Sequence, residues 1–199
     1  MLYAAAQVLL YPLAKLFFRL EIKGAENIPQ MGKVILCSNH QSVFDPIFLA
    51  LKCDRKIRYM AKSEFFENHG TFVRRLFYAL GAFPVVRNTG DADSVKTAVS
   101  ILREGGVLGI FPQGGCVPGN LPFRPKSGVA YIAQKAESPV LPACISCSGK
   151  IRPFRKVTVR YGSPLSYEEL GLDGGDRAAV KAAALRIAQR VNFLLEEQD

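Results

Sequence analysis

The stretch VILCSNHQSVFDP, residues 34–46, decides the fold. Its first four residues are continuously apolar, which reads as a short strand buried on both faces. Polar residues follow, and Asp45-Pro46 reads as a helix N-cap with a proline in the first turn. A buried strand therefore passes through a polar turn into a helix over 46–52, the opening of a strand–helix unit.

The same alternation continues outward. Further apolar runs predict strands over 57–61, 83–86, 107–111, 140–145 and 157–161. Helical patterns fill 71–80, 93–103, 128–137 and 177–196. Asp91 or Asp93 can cap the helix over 93–103, and Gly105-Gly106 ends it. In the last helix Val180, Ala184, Ile187, Val191 and Leu194 make one apolar stripe, with Arg186, Gln189 and Arg190 opposite. Strands alternating with helices predict an α/β fold, a mixed, largely parallel sheet flanked by helices. In such sheets functional sites collect just beyond the carboxyl ends of the strands.

The chain of 199 residues is the size of one domain, and 49% hydrophobic residues suffice for a substantial core. A net charge of +9 favours polyanionic surfaces: nucleic acid, an anionic bilayer or an acidic protein. Nucleic acid is set aside, because the basic residues are scattered and no nucleic-acid-binding motif is present. Five cysteines, with Cys37 and Cys144 in apolar runs, read as reduced, cytosol-side thiols. Cys144 and Cys147 have metal-ligand spacing, but on a strand their side chains point to opposite faces, so no metal is expected.

Residues 2–20, LYAAAQVLLYPLAKLFFRL, are apolar but interrupted by Gln7, Pro12, Lys15 and Arg19. A spanning helix needs about 20 cleanly apolar residues. The basic residues also fall after the apolar run, the reverse of a signal peptide. The aromatic and basic end suits a helix lying in the bilayer interface. A membrane-associated helix over 1–20 and a folded domain over 21–199 are expected, peripheral or monotopic on the cytoplasmic face of the cell membrane. Packing of the helix on its own domain is the alternative.

Chemistry points back to the opening stretch. His40 and Asp45 would stand about 140° apart on a regular helix, so they meet only if a turn separates them. If they meet, a neutral imidazole can take a proton from an alcohol while the carboxylate fixes its tautomer. An alcohol so activated could attack a thioester directly, without the nucleophilic serine of a Gly-x-Ser-x-Gly elbow. If they do not meet, Asp45 is a cap and His40 a turn residue; the residues alone leave both open. The other histidine, His69, lies in an Asn-His-Gly turn. Arg87 follows an apolar strand, where a guanidinium can meet a phosphate. Val107 to Cys116, VLGIFPQGGC, runs into a loop over 112–126, in which Gly114-Gly115 permits close approach of a substrate. Arg124 and Lys126 add positive charge there, beside a helix start that itself favours anions.

Together these segments resemble the glycerolipid acyltransferase family. Asn39-His40-Gln41-Ser42-Val43-Phe44-Asp45 matches its His-x4-Asp motif, and Gly81 through Arg87 its second block. Phe111-Pro112-Gln113-Gly114-Gly115-Cys116 matches the third block, usually Phe-Pro-Glu-Gly-Thr-Arg, and Val140-Leu141-Pro142-Ala143 the fourth. Lesser similarities are Ala61 to Phe66 and Lys126 to Ala130, and the match covers roughly residues 20–165.

The resemblance implies that His40 is the general base, oriented by Asp45. Arg87, Gln113, Gly114, Gly115 and Lys126 would hold the acceptor. The donor would be acyl-CoA or acyl-acyl carrier protein, the acceptor the lysophospholipid 1-acylglycerol-3-phosphate and the product phosphatidate, with no cofactor. The positive charge suits an acidic carrier protein as well as an anionic membrane surface. Three positions depart from the pattern: Gln113 cannot ionise, and Gly115 and Cys116 replace a threonine and an arginine. Losing that guanidinium removes a charge-assisted hydrogen bond worth about 1.5–3 kcal/mol unless Arg124 or Lys126 replaces it. Another lysolipid or aminolipid acceptor, or a catalytically silent lipid-binding homologue, are the alternatives.

Overall fold

The computed structural model describes residues 2–68, 70–85, 92–124 and 126–197. Helix α1 (Leu2–Phe18) is followed by strand β1 (Glu21–Lys23) and a 3-10 turn (Ala25–Asn27). Strand β2 (Val34–Ser38) leads into helix α2 (Asp45–Ala50), and β3 (Ile57–Lys62) into α3 (Glu64–Glu67) and α4 (Thr71–Ala79). Then come β4 (Ala82–Val85), α5 (Ala92–Arg103), β5 (Val107–Ile110) and α6 (Gly128–Ala136). Strands β6 (Val140–Cys147) and β7 (Val157–Tyr161) and helix α7 (Arg177–Glu196) complete the chain.

The strands form one sheet in the order β1-β7-β6-β2-β5-β3-β4. Every neighbouring pair is parallel except β6 and β7, so the expected mixed, largely parallel sheet is what forms. Strand β2 lies between β5 and β6, in register Cys37 to Ile110 and Cys37 to Pro142. Its alternation explains the unbroken apolar run. Ile35 and Cys37 face α5, α6 and α7, while Val34 and Leu36 face α1 and α2, and all four are buried. A sheet covered on both sides needs apolar residues at every position. Each large side chain fully buried there contributes about 1.5–3 kcal/mol.

The helix ends follow local chemistry. Gly105 takes a left-handed φ of 79°, and Gly106 N–H donates to Ile101 O at 2.8 Å, closing α5 as a Schellman turn. Asp93 does not cap α5 but lies in its first turn, and Asp91 lies outside the described residues. Asp176 caps α7 by accepting from Ala179 N–H. The buried stripe of α7 runs through Val180, Ala184, Ile187 and Val191 as predicted, but ends on Leu195 and not Leu194. Leu194 is half-buried against Cys144, beyond the main core. Cys144 and Cys147 do point to opposite sides: Cys144 packs with α7, Cys147 with the cluster on the other face.

Helix α1 lies over α2, with Gln7 Nε2 donating to Ala50 O at 2.6 Å and Cys53 O at 2.7 Å. Ala14 is buried against the domain. Along the outer side, Val8, Leu9 and Leu16 are 77%, 65% and 69% exposed. Among the described residues no helix is long and apolar enough to cross a membrane.

Candidate active site

Strands β2 and β5 run side by side in the same direction, so the segments leaving their carboxyl ends emerge together. One carries His40 and the other Gln113, 73 residues apart in sequence; His40 N–H donates to Gln113 Oε1 at 2.5 Å. The turn needed to bring His40 to Asp45 is present. His40 Nδ1 lies 2.8 Å from Asp45 Oδ2. The same carboxylate oxygen accepts Gln41 N–H at 2.6 Å and Ser42 N–H at 2.8 Å.

These bonds correct the cap expected at Asp45. Helix α2 begins at Asp45 itself, with Phe44 already helical as its cap, and Pro46 within the first turn. The carboxylate reaches backward instead of forward, and holds the preceding turn closed. Asp45 is fully buried, and its other oxygen, Oδ1, has no hydrogen-bond partner among the described residues. A buried polar atom left unsatisfied carries a penalty and is uncommon outside reactive sites.

The rest of the turn is fixed by side chains acting as backbone. Asn39 Oδ1 accepts Ile145 N–H at 2.8 Å, and its Nδ2 donates to Ile145 O at 2.9 Å. This prolongs the β2–β6 pairing past the end of β2. Gln41 Nε2 also donates to Ile145 O, at 2.6 Å, and to Asn120 Oδ1, at 2.9 Å. Beneath the imidazole, Phe111 stacks at 4.1 Å between ring centroids and 18° from parallel. Tyr59 stacks on the far side of Phe111, 6.0 Å away, and its hydroxyl donates to Pro46 O. Gly109 makes room for this stack: a Cβ there would come within 2.3 Å of the Tyr59 ring.

With two backbone amides already on Oδ2, the short Nδ1 contact places the Nδ1 proton toward the carboxylate. That leaves Nε2 of the neutral ring as the acceptor, which is the tautomer a general base requires. His40 Nε2 faces Cys116 Sγ at 3.2 Å. The side chain of His40 is 14% exposed, so the ring is enclosed but reachable.

The third block wraps this histidine. Val117 N–H donates to His40 O at 2.7 Å, opposite the Gln113 contact on His40 N–H. Gly114 takes a left-handed φ of 78°, and the Lys126 side chain passes 3.1 Å from where its Cβ would be. Lys126 N–H donates to Pro112 O, closing the loop on itself. Gly115 borders open space. Arg124 lies apart, lining a cavity of about 400 Å³ with Ser127 and Lys181. The structure therefore brings together His40, Asp45, Gln113 and Gly114, with Lys126 folded over the glycine. Arg87 and His69 lie outside the described residues.

Sequence reasoning passed over Cys116, Phe111, Tyr59, Asn39 and Gln41 as parts of the site. Cys116 was read as a lost arginine, although it is the exposed cysteine of the five and the other four are buried. The available signal was position: Cys116 follows Gly114-Gly115 in a loop, whereas Cys37 and Cys144 lie in apolar runs.

Comparison with known proteins agrees with the ordered blocks. The acyltransferase family model matches residues 19–146. The 1-acyl-sn-glycerol-3-phosphate acyltransferase of Bacillus subtilis is 32% identical over 187 residues, covering 90% of this chain and 89% of that protein. The protein of the same name from Streptococcus pneumoniae is 26% identical over 153 residues, 73% of this chain but 55% of the relative. Among solved structures, the 1-acyl-sn-glycerophosphate (LPA) acyltransferase PlsC from Thermotoga maritima superimposes with a TM-score of 0.67 at 25% identity. The match covers 92% of this chain and 75% of that one.

Proposed function

The chain belongs to the acyltransferase family, and from that premise we propose that it moves a fatty acyl group from a thioester to the free hydroxyl of 1-acylglycerol-3-phosphate, giving phosphatidate for phospholipid synthesis. One observation carries the chemistry: the 2.8 Å contact between His40 and Asp45 in a turn at the carboxyl end of β2. The buried carboxylate orients the imidazole and steadies the positive charge it acquires on taking a proton. The acceptor oxygen attacks the thioester carbonyl carbon, the carbon–sulfur bond breaks, and the proton held by His40 leaves with the thiol. A thiolate is a good leaving group, so a single base suffices.

Arg87, Gln113, Gly114, Gly115 and Lys126 are the proposed acceptor-binding residues. Gln113 spends its side-chain oxygen on His40 N–H, which makes it a brace for the histidine and leaves its amide nitrogen for substrate. Lys126, drawn over Gly114, supplies a cation beside the loop where the family pattern has an arginine. Acyl-CoA or acyl-acyl carrier protein is the donor, and no cofactor enters the reaction.

Residues 1–20 serve as a membrane-associated helix on the acyltransferase domain over 21–199. The outer side of α1 presents Val8, Leu9, Leu13, Leu16 and Phe17 to solvent. The apolar side chains continue through Phe18 to Phe44, 5.8 Å between ring centroids, the residue immediately before Asp45. An apolar helix face leading to the lip of the site suits an enzyme whose acceptor lies in a bilayer, and the net charge of +9 suits an anionic one at the cytoplasmic face.

The test is a panel of acceptors with purified protein and both donor classes. Lysophosphatidate should be converted fastest, and only in the presence of a thioester. Faster acylation of a lysolipid lacking the phosphate monoester would replace the acceptor named here. Membrane binding without turnover on any donor would leave a silent lipid-binding protein.

A further inference from the structure

We propose that the loop between β6 and β7, residues 148–156, is a second membrane-docking element, in which Phe154 enters an anionic bilayer while Lys150 and Arg152 meet lipid phosphates. The inference adds a contact surface to the acyl-transfer reading above, and rests on that reading for a bilayer as the place of reaction.

The loop reads Ser148-Gly149-Lys150-Ile151-Arg152-Pro153-Phe154-Arg155-Lys156. It carries four cations, and no acidic residue occurs between Glu137 and Glu168. Two of the four are engaged within the fold. Lys156 pairs with Glu21 at 2.7 Å, and Arg155 Nη1 donates to Ser148 O at 2.9 Å, bracing the loop across its width. Lys150 and Arg152 are exposed, and neither forms an ion pair among the described residues. Such a cluster of one sign attracts an anionic lipid surface.

The apolar residues of the loop divide. Ile151 packs on the core cluster that contains Cys147 and Val157, whereas Phe154 turns away and is 71% exposed. The Phe154 φ of 66° is left-handed, an unfavourable conformation for a bulky residue. Helix α1 holds it there: Phe154 N–H donates to Phe17 O at 2.5 Å, and the two rings lie 6.1 Å apart. A strained backbone thus keeps an aromatic ring in water among cations. An interfacial segment has this make-up, with the ring at the acyl boundary and the cations at the headgroups. Phe17 also belongs to the exposed side of α1 with Leu9, Leu13 and Leu16, so Phe154 extends that apolar side onto the loop. An acidic protein would answer the cations alone; the ring and the apolar side continuing from it call for lipid.

Strand β6 runs parallel to β2, so the loop leaves the same edge of the sheet as His40. Asn120 Oδ1 accepts both Cys147 N–H at 3.1 Å and Gln41 Nε2 at 2.9 Å, linking the end of β6 to the residue beside His40. A loop seated at the headgroups therefore brings the base to the lipid surface.

The chain contains no tryptophan, so Phe154→Trp places a single indole at the loop tip. The purified full chain is titrated with mixed phosphatidylglycerol–phosphatidylcholine vesicles, with phosphatidylcholine vesicles, and with mixed vesicles brominated on their acyl chains. The expected result is a blue shift of the emission on anionic vesicles and its quenching by the bromine. Lys150→Glu with Arg152→Glu alters two exposed side chains, so the thermal melt should not move, while binding to anionic vesicles should weaken by ~10-fold or more. A protein that floats with the vesicles while its indole stays unshifted and unquenched would overturn the proposal, as would undiminished binding by the charge-reversed variant. A blue shift with acidic acyl carrier protein but not with vesicles would also overturn it, and assign the loop to the donor. No turnover enters these measurements. Their failure leaves the acyl-transfer reading standing, and an indole that inserts in a protein without activity supports the loop while removing the reaction.

Discussion

Phe111 lies flat beneath His40, ring centroids 4.1 Å apart, and so sets the height of the imidazole above the end of strand β5. A stacked pair of this kind adds about 0.5–1.5 kcal/mol beyond the area it buries. In Phe111→Ala the ring loses its floor, and Tyr59 loses its partner on the other side. The protein should remain folded but less stable by about 2–3 kcal/mol in urea unfolding, since Phe111 is only half-buried. Its kcat/KM should fall by ~10-fold or more, while Phe111→Tyr should retain most of both.

Asp45→Asn tests charge at nearly constant shape. An amide oxygen in the place of Oδ2 can still accept from Gln41 N–H and Ser42 N–H, so the turn should persist. The negative charge facing the imidazolium is gone. The expected outcome is a fall in kcat of ~10²- to 10⁴-fold with little change in acceptor KM, read by steady-state kinetics. A loss confined to KM would place Asp45 in acceptor binding instead.

Asn39→Ala separates folding from chemistry. The substitution leaves Ile145 N–H buried without its acceptor, while Ile145 O keeps the bond from Gln41. An orphaned buried donor costs about 1–3 kcal/mol, so chemical denaturation should show a loss of that size. Activity should drop with the stability of the turn, and cooling should restore part of it.

Leu9→Glu with Leu16→Glu alters residues that are 65% and 69% exposed, so thermal stability should not change. Removing two apolar side chains from the face proposed to enter lipid should weaken binding to anionic phospholipid vesicles by more than ~10-fold in a flotation assay. Turnover of a lysolipid dispersed in detergent should stay near wild type. Unchanged vesicle binding would show that another surface holds the membrane.

The parts of the fold legible in the sequence were those buried on both sides. Strand β2 reads directly from Val34, Ile35, Leu36 and Cys37, because each face of the sheet is covered and every position must be apolar. Strand β1 escaped notice: three residues at the sheet edge, Glu21 and Ile22 half-exposed and Lys23 exposed, leave no periodic trace. Helix α3, four residues long, is likewise too short to show a face. The antiparallel turn of β7 against β6 depends on the connection between them and not on their composition.

At the site, His40 and Asp45 were nameable from their spacing, but whether they meet was not. The answer depends on Asp45 bonding backward to Gln41 and Ser42, where its position before Pro46 suggested a forward cap. Cys116 was harder still. Seventy-six residues separate it from His40, and their contact follows from the β2–β5 register that places Cys37 beside Ile110. A substitution that looked like a missing cation proved to set a sulfur against the His40 imidazole.

The most direct measurement is the steady-state rate of phosphatidate formation from acyl-CoA and lysophosphatidate by the wild-type protein and by His40→Ala. The side chain is largely enclosed but its loss leaves the backbone contacts to Gln113 and Val117 in place, so the variant should fold. The account predicts that kcat/KM falls by at least ~10³-fold, with the circular dichroism spectrum unchanged. A His40→Ala protein working within a few-fold of the wild-type rate would contradict it.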